Sequence, residues 1–267
     1  MYPYELFLGL DMYSLLIALG VIGCLVILRL VFDRWEYEAK FQNFVIITTL
    51  VTVFGGYGTA VLTQALYNIK ELGGFQLTND TGSTFYGGLV GGIAIFIIVY
   101  FGIGHFLFKD GVHYRRFRSL SEIAAPCITF AHGMGRLGCL FAGCCHGAIT
   151  DKWYGIYMVN LGKKAVPVQL YEALFLFALC ALTLWMLLKK KRYCMPTYLF
   201  TYGVWRFLIE YARADERGDT FVSFLSPSQL TSIGLVLAAV VVLLGELYFD
   251  RWREGKVVTT DGAEDNE

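Results

Sequence analysis

The chain has 267 residues, of which 56% are hydrophobic and only 16% charged, with 22 basic and 22 acidic side chains in balance. A soluble domain normally carries about 25% charge. With a mean hydropathy of +0.54, the composition excludes an ordinary soluble protein and implies an all-α, polytopic bundle of membrane helices, and zero net charge leaves no reason to expect nucleic acid as a partner.

A helix crosses the hydrocarbon core with about 20 mostly apolar residues. Seven segments qualify: 12–32, 44–66, 85–108, 123–141, 168–188, 196–211 and 229–249. The N-terminal MYPYELFLGLDMYSLL has no basic region ahead of its apolar stretch, so it is expected to open the first span rather than to be a cleaved signal. GGFQLTNDTG, 73–82, has loop composition. The expected organisation is one transmembrane catalytic domain over 1–250 and a polar cytoplasmic tail over 251–267, disordered after Gly255. Lys and Arg fall unevenly between alternate loops. One set holds Arg29, Lys40, Arg115, Arg116, Lys189, Lys190, Arg251 and their neighbours; the other holds Lys70, Lys152, Lys163, Lys164, Arg213 and Arg217. The richer set is expected on the cytoplasmic side, with the N-terminus outside and the C-terminus inside.

The polar residues inside these segments carry the chemistry. In FYGGLVGG, 85–92, Gly87 and Gly91, and Gly88 and Gly92, are spaced for close helix packing; a glycine turn facing a phosphate is the alternative. HGMGRLGCLFAGCCHG, 132–147, places Arg136 in an apolar segment, where an unpaired charge costs at least about 2.5 kcal/mol and so marks a functional site. Cys139, Cys144, Cys145 and His146, with His132, include enough ligands for zinc, but C-x4-C-C-H matches no standard zinc spacing, and neither a metal nor a cofactor is expected. A Cys139–Cys144 disulfide, a thiolate activated by Arg136 or His146, and plain structural thiols are all open readings.

In PVQLYEA, Gln169 and Glu172 share one face of a helix start. A carboxylate there needs a partner, and Arg136 is the candidate; a structural helix cap is the bland alternative. Tyr202, Arg206, Glu210 and Arg213 share one face of the sixth segment, with Arg206 and Glu210 in i, i+4 register. They form either a buried structural ion pair or a phosphate site, in which the planar guanidinium of Arg206 holds the anion and Glu210 orients it.

Taken in order, these segments resemble the prolipoprotein diacylglyceryl transferase family along nearly the whole chain. Tyr13 in DMYSLL is similar to the family's first-span tyrosine, and FYGGLVGG to its F-H-G-G-L. GRLGCLFAGC is similar to G-R-x-G-N-F-x-N-x-E, PVQLYEA to H-P-S-Q-L-Y-E-A, YGVWRFLIEYAR to Y-G-x-x-R-F-x-x-E-F-x-R, and SPSQL to S-M-G-Q. The family's members are bacterial inner-membrane enzymes that move diacylglycerol from phosphatidylglycerol to the lipobox cysteine thiol of a prolipoprotein, releasing glycerol phosphate. The resemblance implies a phosphatidylglycerol-like donor, a lipobox peptide as acceptor and a location in the bacterial plasma membrane. It implies catalytic roles for Arg136, Arg206, Tyr86, Cys144 and Cys145, and substrate-binding roles for Tyr13, Gly87, Gly88, Cys139, Gln169, Glu172, Glu210 and Arg213.

The departures are specific. Tyr86 stands where the family has histidine, Cys139 where it has asparagine, Ala142 or Gly143 at its second asparagine, Cys144 at or near its glutamate, and Val166 at the histidine before the proline. The arginines are kept and the acid/base set is changed. Two other classes therefore stand beside the transferase: a thiol or redox enzyme using Cys139, Cys144 and Cys145, and a lipid or small-molecule transporter.

Overall fold

The computed structural model describes residues 5–7, 10–72, 74–75, 77–78, 81–214 and 224–264. Residues 73, 76, 79 and 80 of the expected loop, and Arg217 of the loop charge comparison, lie outside the described residues.

Helices occupy all seven segments: α1 (Met12–Arg34), α2 (Ala39–Leu72), α3 (Phe85–Leu107), α4 (Val112–Ala142), α5 (Val168–Leu188), α6 (Cys194–Ile209) and α7 (Pro227–Glu264). By length and composition five of them, α1, α2, α3, α5 and α7, suffice to cross a membrane. The other two explain themselves chemically. α4 opens on VHYRRFRSLSE, and α6 has only 16 residues and carries Arg206. The all-α polytopic bundle is thus met with seven helices, five of which qualify as spans among the described residues, and the two most polar helices are the ones that bear Arg136 and Arg206.

Helix starts follow their sequences. Asp11 caps α1, its Oδ1 accepting the Ser14 amide at 2.7 Å. At α7, Ser226 and Gln229 form a reciprocal capping box: the Gln229 amide donates to Ser226 Oγ at 3.2 Å and the Ser226 amide to Gln229 Oε1 at 3.1 Å. Pro227, the first helical residue, needs no amide partner there. The other end of α7 corrects the expectation of a disordered stretch after Gly255, because the helix continues to Glu264. VVTTDGAE has neither a proline nor an apolar period to mark a stop, and a helix already under way costs little to extend.

The chain forms two compact units, Leu28–Leu120 and Met1–Ile27 with Ser121–Glu267. In the first, α2 and α3 lie in close contact. A Cβ at Gly87 would fall 2.4 Å from Thr63 Oγ1, and one at Gly88 would fall 3.1 Å from the Ala60 Cβ. The facing threonines turn their hydroxyls back to their own helix, Thr63 to the Thr59 carbonyl at 2.7 Å and Thr59 to that of Gly56 at 2.8 Å, which leaves a smooth seam. Close packing therefore accounts for Gly87 and Gly88. Midway along α3 a π-helical turn, Ile98–Ile103, carries the buried Tyr100, whose hydroxyl donates to the His113 carbonyl at 2.7 Å.

The second unit contains the residues around Glu172. α6 packs against both α5 and α7. Between α4 and α5 lies a short antiparallel hairpin, β1 (Ile156–Met158) with β2 (Lys163–Ala165). It returns the chain to Pro167, where α5 begins.

Candidate anion site built on Glu172

Glu172 lies on the second turn of α5 and has no solvent exposure. A carboxylate buried this deeply persists only when paired, and its partners come from three parts of the chain. Arg136 of α4 approaches Oε2 through Nε at 3.1 Å. Tyr202 of α6 donates its hydroxyl to Oε1 at 2.8 Å. Arg206, one turn further along α6, brings Nε to within 4.0 Å of the same oxygen, and Arg213 beyond the end of α6 brings Nη1 to 3.9 Å from Oε2. The partner expected for Glu172, Arg136, is thus the nearest of three guanidiniums.

The i, i+4 register on α6 does what its spacing implies. Arg206 Nη2 lies 2.8 Å from Glu210 Oε2 and donates to Ser228 Oγ at 2.7 Å. Glu210 Oε1 in turn accepts the Ser226 hydroxyl at 2.7 Å. Ser226 is therefore both the cap of α7 and a holder of Glu210, which couples the start of one helix to the charges of its neighbour. Arg206 Nη1 is buried and has no hydrogen-bond acceptor among the described residues. Arg136 is the more open guanidinium, its side chain 17% exposed against 6% for Arg206. The site presents three fixed guanidiniums on a common carboxylate, with donor capacity left over, an arrangement suited to holding an oxyanion.

The cysteines sit at the end of α4 and in the loop after it. Gly143, at φ +72°, and Cys145, at φ +59°, turn the chain back through the left-handed region, which suits glycine but costs an ordinary residue about 1 kcal/mol. The Cys144 amide donates to the Cys139 carbonyl at 3.2 Å, the Gln169 side-chain amide donates to the Cys144 carbonyl, and Gly147 pairs with Arg213 as an isolated β-bridge. All three thiols are free, and their sulfur atoms lie within 4.8 Å of one another. Hydrogen bonds from Cys139 and Cys144, and the Arg213 guanidinium, hold the Cys145 thiol well below the usual thiol range. Cys139 and Cys145 are also near enough to Arg136 to act on it electrostatically.

Of the residues singled out in the sequence, Arg136, Arg206, Arg213, Glu172, Glu210, Gln169, Cys139, Cys144 and Cys145 come together here. Tyr13 joins them from α1, its ring against Gly138, where a Cβ would meet it at 2.9 Å. Tyr86, Gly87 and Gly88 belong to the other compact unit, where Tyr86 is 46% exposed and contacts Phe85 at 5.5 Å between ring centroids. Ser228 is a site residue that the sequence alone did not single out; its signal was its position two residues after Ser226 at the start of an apolar helix. Tyr202, read only as a member of the charged face, is the direct hydrogen-bond donor to Glu172, and its ring meets that of His132 at 5.0 Å.

Comparison with known proteins gives this arrangement a family. Residues 4–245 match the family model described as prolipoprotein diacylglyceryl transferase. The phosphatidylglycerol–prolipoprotein diacylglyceryl transferase 2 of Clostridium perfringens is 30% identical over 244 residues, covering 88% of this chain and 91% of that protein. The phosphatidylglycerol–prolipoprotein diacylglyceryl transferase of Clostridium tetani is 28% identical over 263 residues, 94% of this chain and 98% of its own, and that of Dehalococcoides mccartyi 26% over 245 residues, 87% and 86%. The chain belongs to the prolipoprotein diacylglyceryl transferase family and is a multi-pass bacterial membrane transferase.

Proposed function

We propose that this protein moves a diacylglyceryl group from a phosphatidylglycerol-like donor to a thiol, with a lipobox cysteine peptide as acceptor, within one catalytic domain spanning 1–250 and followed by a cytoplasmic tail. The observation that carries the reading is the convergence of Arg136 and Arg206 on Glu172, with Arg206 Nη1 buried and lacking an acceptor among the described residues. On this reading Arg136 and Arg206, held by a common carboxylate, bind one lipid phosphate. They stabilise the charge that grows on it as the glycerol C–O bond breaks, and electrostatic stabilisation of this kind supplies much of the rate enhancement in many enzymes. Glu172, Glu210 and Gln169 orient the arginines and the cysteine loop, and Tyr13 and Arg213 complete the wall. No ATP is needed, because the donor already carries its leaving group.

The test uses purified protein in lipid with labelled phosphatidylglycerol and a lipobox peptide. Glycerol phosphate should be released only when the peptide thiol is present, and release should be lost in Arg136→Ala. No release with any thiol acceptor, from several phospholipids, would exclude the reading. The orientation proposed from the loop charges, N-terminus outside and C-terminus inside, has its own test. A reporter fused after Glu267 should be active only on the cytoplasmic side; activity only outside would reverse the orientation.

A further inference from the structure

The sulfurs of Cys139, Cys144 and Cys145 lie within 4.8 Å of one another, all free and none fully buried. With zinc–sulfur bonds of about 2.3 Å, thiolates around a tetrahedral metal lie roughly 3.8 Å apart, so small shifts close this cluster on a cation. The backbone is committed to the geometry. Cys145 is held in the left-handed region beside Gly143, an arrangement that persists only where the surroundings enforce it. Here those surroundings are the Cys144 amide on the Cys139 carbonyl and Gln169 on the Cys144 carbonyl. His146 is not part of the sulfur cluster, and its Nδ1 lies 2.9 Å from the Gly147 carbonyl. The ligand set is therefore three sulfurs with a fourth tetrahedral position open, the pattern that separates catalytic from structural zinc sites.

We propose that Cys139, Cys144 and Cys145 hold a thiophilic divalent cation of the zinc class, whose open position takes the acceptor thiol as a thiolate. This rests on the transfer reading above and adds what that reading needs. A free thiol, with pKa near ~8.5, is mostly protonated at neutral pH, whereas a thiol coordinated to such an ion is deprotonated outright. The step balances. The acceptor thiol binds the metal and gives its proton to water. The bound sulfur uses a lone pair to form the new C–S bond at the glycerol carbon. The C–O bond to phosphate breaks, and its electron pair leaves with the glycerol phosphate. The product is a neutral thioether, a weaker ligand that departs, and no oxidant or reductant is involved. A dication on three thiolates carries one negative charge, and Arg136 and Arg213 lie close enough to compensate it.

The test is a titration of reduced, full-length protein in lipid nanodiscs with cadmium and with cobalt. One equivalent should bind with a sulfur-to-metal charge-transfer band. The visible bands of the cobalt form should change on adding a lipobox peptide and stay unchanged with its cysteine-to-serine counterpart. Cys144→Ser and Cys145→Ser, chosen singly so that the fold is retained and checked for monodispersity, should each weaken cadmium binding by about tenfold or more. No charge-transfer band in reduced protein, binding undiminished in both variants, or cobalt bands indifferent to the peptide thiol would overturn the proposal. Chelated protein that releases glycerol phosphate at its full rate would overturn the metal site while leaving the transfer reading intact. Cobalt bands that respond to the peptide in protein that releases no glycerol phosphate would support the metal site and exclude the transfer reading.

Discussion

The hydroxyl of Tyr202 on α6 donates to Oε1 of Glu172 on α5 at 2.8 Å, fixing the carboxylate whose other oxygen faces Arg136 at 3.1 Å. A hydrogen bond to a charged group contributes about 1.5–3 kcal/mol. Tyr202→Phe keeps the ring against His132 and removes only the donor. The expected result is a thermal midpoint lower by a few degrees in detergent, with slower transfer, because the carboxylate that spaces the two arginines is loosened. An unchanged midpoint would show that the bond contributes nothing.

Glu172→Gln should be more severe. It leaves the Arg136 charge without its carboxylate in a buried site, and breaking such a pair costs about 3–5 kcal/mol. Removing both partners, as in Arg136→Met with Glu172→Leu, should recover part of that loss, since no Arg136 charge is stranded and Arg206 and Arg213 keep Glu210. Thermal denaturation of the single and double variants decides it, and a double variant less stable than Glu172→Gln would argue against the pairing.

These two side chains also mark the limit of what the sequence discloses. The register of Tyr202, Arg206, Glu210 and Arg213 was legible because i, i+4 spacing is a property of any helix. The need of Glu172 for a partner was legible because a carboxylate near the start of an apolar helix is costly. The arrival of three guanidiniums and a phenol at that carboxylate was not, since it depends on how α4, α5 and α6 pack. Nor was the meeting of three sulfurs. The C-x4-C-C spacing brings them together only because Gly143 and Cys145 are both left-handed, and no local pattern announces a left-handed cysteine. The course of α7 past Gly255 was missed for a different reason, because polar composition does not by itself distinguish a continuing helix from coil.

Arg206→Lys should fold and fail. Lysine keeps the charge but lacks the fork that lets Arg206 meet Glu210, Ser228 and Glu172 together. Loss of a donor aimed at developing charge lowers turnover by about 100-fold. Glycerol phosphate release by a variant with a near-normal thermal midpoint checks this, and wild-type turnover would show that a point charge suffices.

The Cys145 thiol is depressed by hydrogen bonds from Cys139, then from Cys144, and by Arg213. A depressed thiol stays a thiolate, and so a nucleophile, at pH values where ordinary thiols are protonated. In reduced, metal-free protein, alkylation of Cys145 by iodoacetamide should hold its rate as pH falls below 7, while that of a free cysteine in solution declines. Peptide mapping of the labelled protein reads this directly. A Cys145 rate that falls in step with a free thiol would contradict it.

The most direct measurement is a structure of the protein with phosphatidylglycerol bound. The expected result is one phosphate between Arg136 and Arg206, its oxygens about 2.7–2.9 Å from both guanidiniums, and the glycerol carbon turned toward the sulfurs of Cys139, Cys144 and Cys145. A phosphate held by neither arginine, with Arg136 and Arg206 still closed on Glu172, would make the cluster a structural ion pair and contradict the site.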